Sequence, residues 1–156
     1  MSRVLALRNR QRVRPVETRL LRSIATWALQ EHFRVSDFEL GIHLVGAEEM
    51  AGVNERFLAH EGSTDVITFD HRENSGEPGW RGEIYISLDD AVAQARKFGT
   101  TWQSELARYL LHGLLHLHGF DDLTPAARRR MKREENRLLR EAAREFVLSR
   151  LAKKKP

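Results

Sequence analysis

The chain of 156 residues contains no cysteine. This excludes disulfides, thiolate zinc sites and cysteine nucleophiles, and leaves nitrogen and oxygen to hold any metal. No window approaches the ~20 uninterrupted apolar residues of a membrane span. The arginine-rich start is not followed by the apolar stretch and small-residue cleavage site of a secretory signal. These absences predict a soluble protein that stays in the cytoplasm. Internal repeats and interdomain linkers are also lacking. A chain of 156 residues, 41% hydrophobic and 31% charged, fits a single domain spanning 1–156, since domains cluster near ~100–150 residues.

The net charge of +4 averages three unlike regions. Residues 1–22 hold seven basic and one acidic side chain, residues 23–123 seven and seventeen, and residues 124–156 twelve and four. An acidic body thus carries a basic N-terminal segment and a basic C-terminal helix and tail. Basic arms of this kind attract a phosphate backbone and serve equally well as solvated helix faces, so charge alone makes nucleic acid only one of two readings.

Val4–Leu7 reads as a short edge strand, and apolar residues from Pro15 to about His32 recur at helical spacing, with Pro15 in the first turn. Phe38 to Val45 alternates with period two, which predicts a half-buried strand with Glu39 and His43 on the solvent side. A helix over Ala47–Phe57, a loop over Leu58–Thr64 and a strand over Val66–Phe69 follow. The stretch from His71 to Arg81 reads as a loop, Glu83–Leu88 as a strand, and Asp89 or Asp90 as the start of a helix ended by Gly99. Thr100 with Gln103 marks the start of a helix that is apolar nearly all round, and Thr124-Pro125 opens a long last helix with Met131, Leu138, Ala142 and Phe146 inward. The fold class is α+β, with a small mixed four-stranded sheet and about five helices.

His112 and His116 lie four residues apart on the apolar helix, about 40° apart around its axis, so both imidazoles leave one side. Gly119 can adopt the conformation that turns the chain back, bringing Asp122 towards the two rings. Two imidazoles and a carboxylate leave a coordination position for water, as catalytic zinc sites do, and the metal brings the pKa of that water towards ~7. Two polar rings in a leucine-rich helix are costly without partners, which favours the metal reading over plain packing. Asp121 can replace Asp122 as ligand or accept a hydrogen bond from a ligand imidazole. Glu105, seven residues before His112 and on the same side, is a candidate general base, as are Asp121 and Asp65. His118 lies about 200° from His116 around the helix, on another face. The spacing H-x-x-x-H-x-x-G-x-x-D is close to the zinc-protease pattern, but Gly113 stands where that pattern has its glutamate base, which weighs against peptide hydrolysis.

These residues resemble the YbeY-type rRNA maturation factors, a family of single-strand-specific endoribonucleases with the signature H-G-x-L-H-L-x-G-Y-D-H. His112, Gly113, Leu115, His116, Leu117, Gly119 and Asp121 match it, with Phe120 for tyrosine. Asn54, Phe57 and Thr64–Phe69 resemble a second family segment, and Gly82–Ser87 a third, so the likeness spans about residues 38–122. It implies a small mixed sheet flanked by helices and one zinc ion, with two of three ligands carried over to His112 and His116. The third ligand position, a histidine in the family, is Asp122. The family's arginine is replaced by Leu58 and its lysine by His60, leaving Arg56, Arg72 and Arg81 as nearby candidates for contact with RNA. The implied partners are single-stranded or ribosomal RNA and the small ribosomal subunit.

The leading expectation is a metal-dependent endoribonuclease of ribosomal RNA maturation and ribosome quality control. A ribosome-associated RNA-binding factor with weak or no catalysis is the alternative, and a metallopeptidase ranks third.

Overall fold

Four strands pair in the order β1 (Arg3–Asn9), β2 (Phe38–Val45), β4 (Trp80–Ser87), β3 (Val66–Asp70). β1, β2 and β4 are parallel, and β3 runs antiparallel to β4 at one edge. This is a computed structural model that describes residues 1–58, 65–74 and 78–154. Five helices accompany the strands among these residues: α1 (Thr18–Trp27), α2 (Ala47–Leu58), α3 (Leu88–Phe98), α4 (Trp102–Leu117) and α5 (Pro125–Glu145). The α+β class and the mixed four-stranded sheet read from the sequence are those observed.

One face of the sheet presents Leu40, Ile42 and Leu44 of β2 with Ile84 and Ile86 of β4. They form the main core with Leu21 and Ile24 of α1 and Leu110, Leu111 and Leu114 of α4, all nearly inaccessible to water. Burial at roughly 25 cal/mol per Å² of apolar surface makes this cluster the main stabilising feature. α4 is central because its apolar residues surround it: it packs against β3, β4, α1, α3 and α5.

β2 is more buried than alternation predicted. The opposite face is covered at one end by α2, where Val45, Met50 and Ile67 make a second small cluster. His43, expected in solvent, is 6% exposed, stacks on Tyr85 at 4.3 Å and meets Glu83 at 2.9 Å. The first helix begins at Thr18 because Val16 bridges Ala152 and the Pro15 carbonyl accepts from Lys153, so Pro15 is not in its first turn. It continues as a π-helical turn over Ala28–His32. β4 starts at Trp80, where pairing with Phe38 extends it into the expected loop; a 3₁₀ turn, His71–Asn74, occupies the loop's start. The loop after Leu58 lies outside the described residues up to Thr64, as do Ser75 and Gly76.

Two caps are displaced from their predicted positions. Ser87 caps α3 by accepting from the Asp90 amide, which leaves the Asp89 carboxylate to accept from the Ala47 amide at 2.6 Å and join the starts of α2 and α3. Thr101 caps α4, accepting from Ser104 at 3.1 Å. Thr124 caps α5 and Gly99 ends α3 at φ +66°, as expected.

The absence of a side chain at position 113 sets the distance between α4 and the sheet. A Cβ there would stand 2.8 Å from Cδ1 and Cγ2 of Ile84. Gly113→Ala is therefore expected to lower stability by about 1–2 kcal/mol, overpacking outweighing alanine's better helix propensity. Thermal and urea unfolding measure this, and an unchanged midpoint would mean that the helix can move outward at no cost.

Candidate metal centre and its cleft

α4 carries a polar stripe on a largely apolar cylinder: Glu105, Tyr109, His112 and His116, at helical intervals of four, three and four residues. The stripe ends where the helix does. Gly119 takes φ +109°, its amide donates to the His116 carbonyl at 3.0 Å, and the Phe120 amide donates to the Leu115 carbonyl at 3.0 Å. The reversal does what was expected of Gly119 and returns Asp122 to the histidines. One ligand atom from each of His112, His116 and Asp122 lies within 4.8 Å of the others, the one such group of three among the described residues.

Both imidazoles are fixed from behind. His112 Nδ1 is 2.7 Å from Glu135 Oε1, and His116 Nδ1 is 3.1 Å from the Phe120 carbonyl. Carboxylate and carbonyl oxygens only accept, so each Nδ1 carries the proton and each Nε2 presents its lone pair, the arrangement by which metal-ligating histidines are oriented. Burial holds the His116 pKa below its ordinary 6.5, and the charge of His112 adds to this, so the ring is neutral at physiological pH. The donor set, its mutual distances and its tautomers fit a divalent ion of borderline softness such as zinc.

Glu135 is the residue at this site that local sequence reasoning missed. It is 4% exposed between α4 and α5, and its carboxylate also accepts from Arg108 at 2.6 Å and Lys132 at 3.1 Å. Burial alone would raise its pKa, but the hydrogen bonds from His112 and Arg108 outweigh this and bring it to about 2. A signal existed: position 135 falls on the inward stripe of Met131, Leu138 and Ala142, where a glutamate needs a partner.

The other candidates are placed differently. Asp121 is exposed and accepts from the Leu123 amide at 3.0 Å, not from an imidazole. Glu105 is 6% exposed and shares the cleft, but two helical turns, about 10 Å of rise, put it beyond proton-transfer reach of the centre. Asp65 lines the cleft and accepts from the Val66 amide. His118 is on another face, against Phe33 and Trp80. Arg56 is exposed on α2. Arg72 is held bidentately by Asp70 and reaches the Leu117 carbonyl; Arg81 pairs with Asp37 and Glu39. None of these three arginines lines the cleft, and the side chains of Leu58 and His60 lie outside the description. The cleft's basic residues are Arg108 of α4 and Arg128, Arg129 and Lys132 of α5, around a volume of about 940 Å³ that reaches His112 and Asp122. Gly113 faces Ile84, so a glutamate there would enter the sheet instead of the centre, which removes the geometric basis of a peptidase.

Fold and site define a small α+β protein with a two-histidine, one-carboxylate donor set at a basic-walled cleft. Residues 6–143 match the family described as Endoribonuclease YbeY, and the chain belongs to that family. It is 37% identical over 107 residues to the endoribonuclease YbeY of Salinibacter ruber, covering 64% of this chain and 68% of the relative. The relative from Anaeromyxobacter sp. is 41% identical over 105 residues, covering 67% and 55%. That from Parabacteroides distasonis is 33% identical over 120 residues, covering 76% and 82%. The chain thus spans between about half and four fifths of these relatives' lengths. A solution structure of a Thermotoga maritima protein, 23% identical, superposes with a TM-score of 0.67 over 98% of both chains and shows the same fold.

Because the Glu135 pKa is depressed from 4.5 to about 2, its contribution to stability is present above pH 4.5 and is lost as pH falls towards 2. Glu135→Gln is expected to flatten this acid limb, removing on the order of 3 kcal/mol of pH-dependent stability. Urea unfolding of both proteins between pH 2.5 and 6 measures the difference; parallel curves would show that folding leaves the Glu135 pKa unshifted.

Proposed function

We propose that the chain is a metal-dependent endoribonuclease that cuts single-stranded RNA, acting in ribosomal RNA maturation and quality control on the small ribosomal subunit in the cytoplasm. The observation that carries this reading is the convergence of His112, His116 and Asp122 within 4.8 Å, with both Nδ1 atoms already engaged. The names of the curated relatives support RNA as the substrate, and the cleft's basic wall supports a polyanion. Among the described residues no helix is long and apolar enough to cross a membrane.

His112 and His116 would hold one zinc ion through Nε2 and Asp122 through a carboxylate oxygen. Such an ion supplies Lewis acidity towards a phosphate oxygen and makes nearby water a better nucleophile. Glu135 keeps His112 in the ligating tautomer and strengthens its basicity. Arg128, Arg129 and Lys132 draw the phosphate backbone into the cleft, and Arg108, braced by Glu135 and Asn136 at 2.6 and 2.7 Å, offers a fixed cation beside it. Asp122, a harder ligand than the family's third histidine, broadens the choice of metal towards manganese.

The test is elemental analysis of protein purified without an affinity tag, paired with cleavage of a labelled single-stranded RNA. The wild type is expected to carry near-stoichiometric zinc and to cut. His116→Ala and Asp122→Ala are expected to lose the metal, with cleavage falling at least about a hundredfold. Stoichiometric metal without cleavage under any divalent ion would overturn the reading.

Leu58, where the resemblance places an arginine, favours a second reading: an RNA-binding ribosome factor whose catalysis is weak. Leu58→Arg separates the two. An increase of about tenfold or more in cleavage, within the range a phosphate-stabilising cation supplies, would mean that the native site is impaired. An unchanged rate favours a competent native site.

A further inference from the structure

The polar stripe of α4 extends past the metal centre, and its far end has unexplained chemistry. The Glu105 side chain is 8% exposed and lines the cleft, yet its nearest ion-pair partner is Arg108 Nε at 3.5 Å, and no hydrogen bond reaches its carboxylate among the described residues. Arg108 gives its short bonds to Glu135 and Asn136. The carboxylate therefore keeps free acceptor capacity in the cleft, which a ligand that brings donors can use.

α3 lines the same cleft as Glu105. Gln94 and Phe98 are four residues apart, on one side of that helix. Gln94 is half-buried, and its carboxamide has no hydrogen bond among the described residues. Phe98 is 63% exposed, a large aromatic ring at the cleft's edge. Tyr109, one turn on from Glu105, contributes a buried ring whose hydroxyl has no partner among the described residues. A volume of about 940 Å³ exceeds what a metal ion and a phosphate group require, and lies in the range of clefts that take whole small molecules.

We propose that this end of the cleft is a nucleobase subsite, in which Phe98 supplies the stacking face and Glu105, with Gln94, reads the base edge. The proposal rests on RNA as the substrate and names how that RNA is held. Guanine fits best, because its N1–H and N2–H are adjacent donors matched to the two oxygens of one carboxylate. Uracil fits worst, since its one ring N–H lies between two carbonyl oxygens that the carboxylate repels. An arginine from a peptide could also meet Glu105 and Phe98, but Arg128, Arg129 and Lys132 line the same cleft and would repel it. A nucleotide brings the negative charge those residues attract.

The experiment titrates the protein as purified with 5′-GMP and 5′-UMP, followed by heteronuclear NMR. Mononucleotides contain no internucleotide bond, so binding is read independently of cleavage. GMP is expected to bind about tenfold more tightly than UMP, as one bidentate base contact provides, with shifts in α3 and α4. Glu105→Gln, which keeps the volume and is checked for fold by its amide spectrum, is expected to bring GMP affinity down to that of UMP. Phe98→Ala, at an exposed position, is expected to weaken both by about tenfold through lost stacking. Equal affinities for GMP and UMP in the wild type, a guanine preference that survives Glu105→Gln, or shifts confined to α5 would overturn the subsite. Selective GMP binding in a protein that cuts no RNA would instead overturn the nuclease reading and leave the subsite standing.

Discussion

Glu135 ties the most buried helix of the protein to its most highly charged one. α4 is surrounded by apolar neighbours, so a polar group buried on it is stabilised by a partner from elsewhere in the chain. Glu135 is such a partner from α5, accepting from Arg108, Lys132 and His112 with a carboxylate that is 4% exposed. The same bonds fix the His112 tautomer, hold Arg108 against the cleft and pin α5, with its basic residues, along one wall. Without that carboxylate, the ammonium and guanidinium groups near His112 would oppose binding of a cation there.

Close packing supplies the second constraint. Gly113 lets α4 lie against Ile84, which sets the height of the helix above the sheet and with it the height of both imidazoles. Gly119 ends the helix at a φ that residues with a side chain rarely adopt, and the reversal lets the Phe120 carbonyl serve as partner to His116 while Asp122 closes the triad. The two glycines of the motif therefore act through backbone geometry, one by close approach and the other by turn, while chemistry is left to the residues beside them.

Much of the fold was legible because its signals are local. Alternation identified β2, helical periodicity identified α4 and α5, and Thr124-Pro125 and Gly99 marked true helix ends. Apart from the one-residue shift of the α4 cap, the errors share one cause, in that tertiary contacts overrode a local pattern. His43 is buried by Tyr85 and Glu83 from another strand, β4 lengthens because Phe38 pairs with Trp80, and Pro15 is excluded from α1 by the bridge from Val16 to Ala152. Arg72 and Arg81, chosen for nearness in sequence to a family segment, are held by Asp70, Asp37 and Glu39, while the cleft takes its cations from Arg108 and from a helix that begins only at residue 125.

The sequence by itself determined the metal-type spacing of His112 and His116, the turn at Gly119 that returns an aspartate, and the α+β alternation of elements. Each depends on residues within about three turns of one another, where helix geometry leaves little choice. Only the tertiary structure decided which groups stand behind those two imidazoles and which line the cleft. Glu135 is 23 residues from His112, and Gln94 and Phe98 line the cleft of Glu105 from a separate helix. Such pairings depend on how helices pack across a shared core, and no periodicity within one segment encodes them.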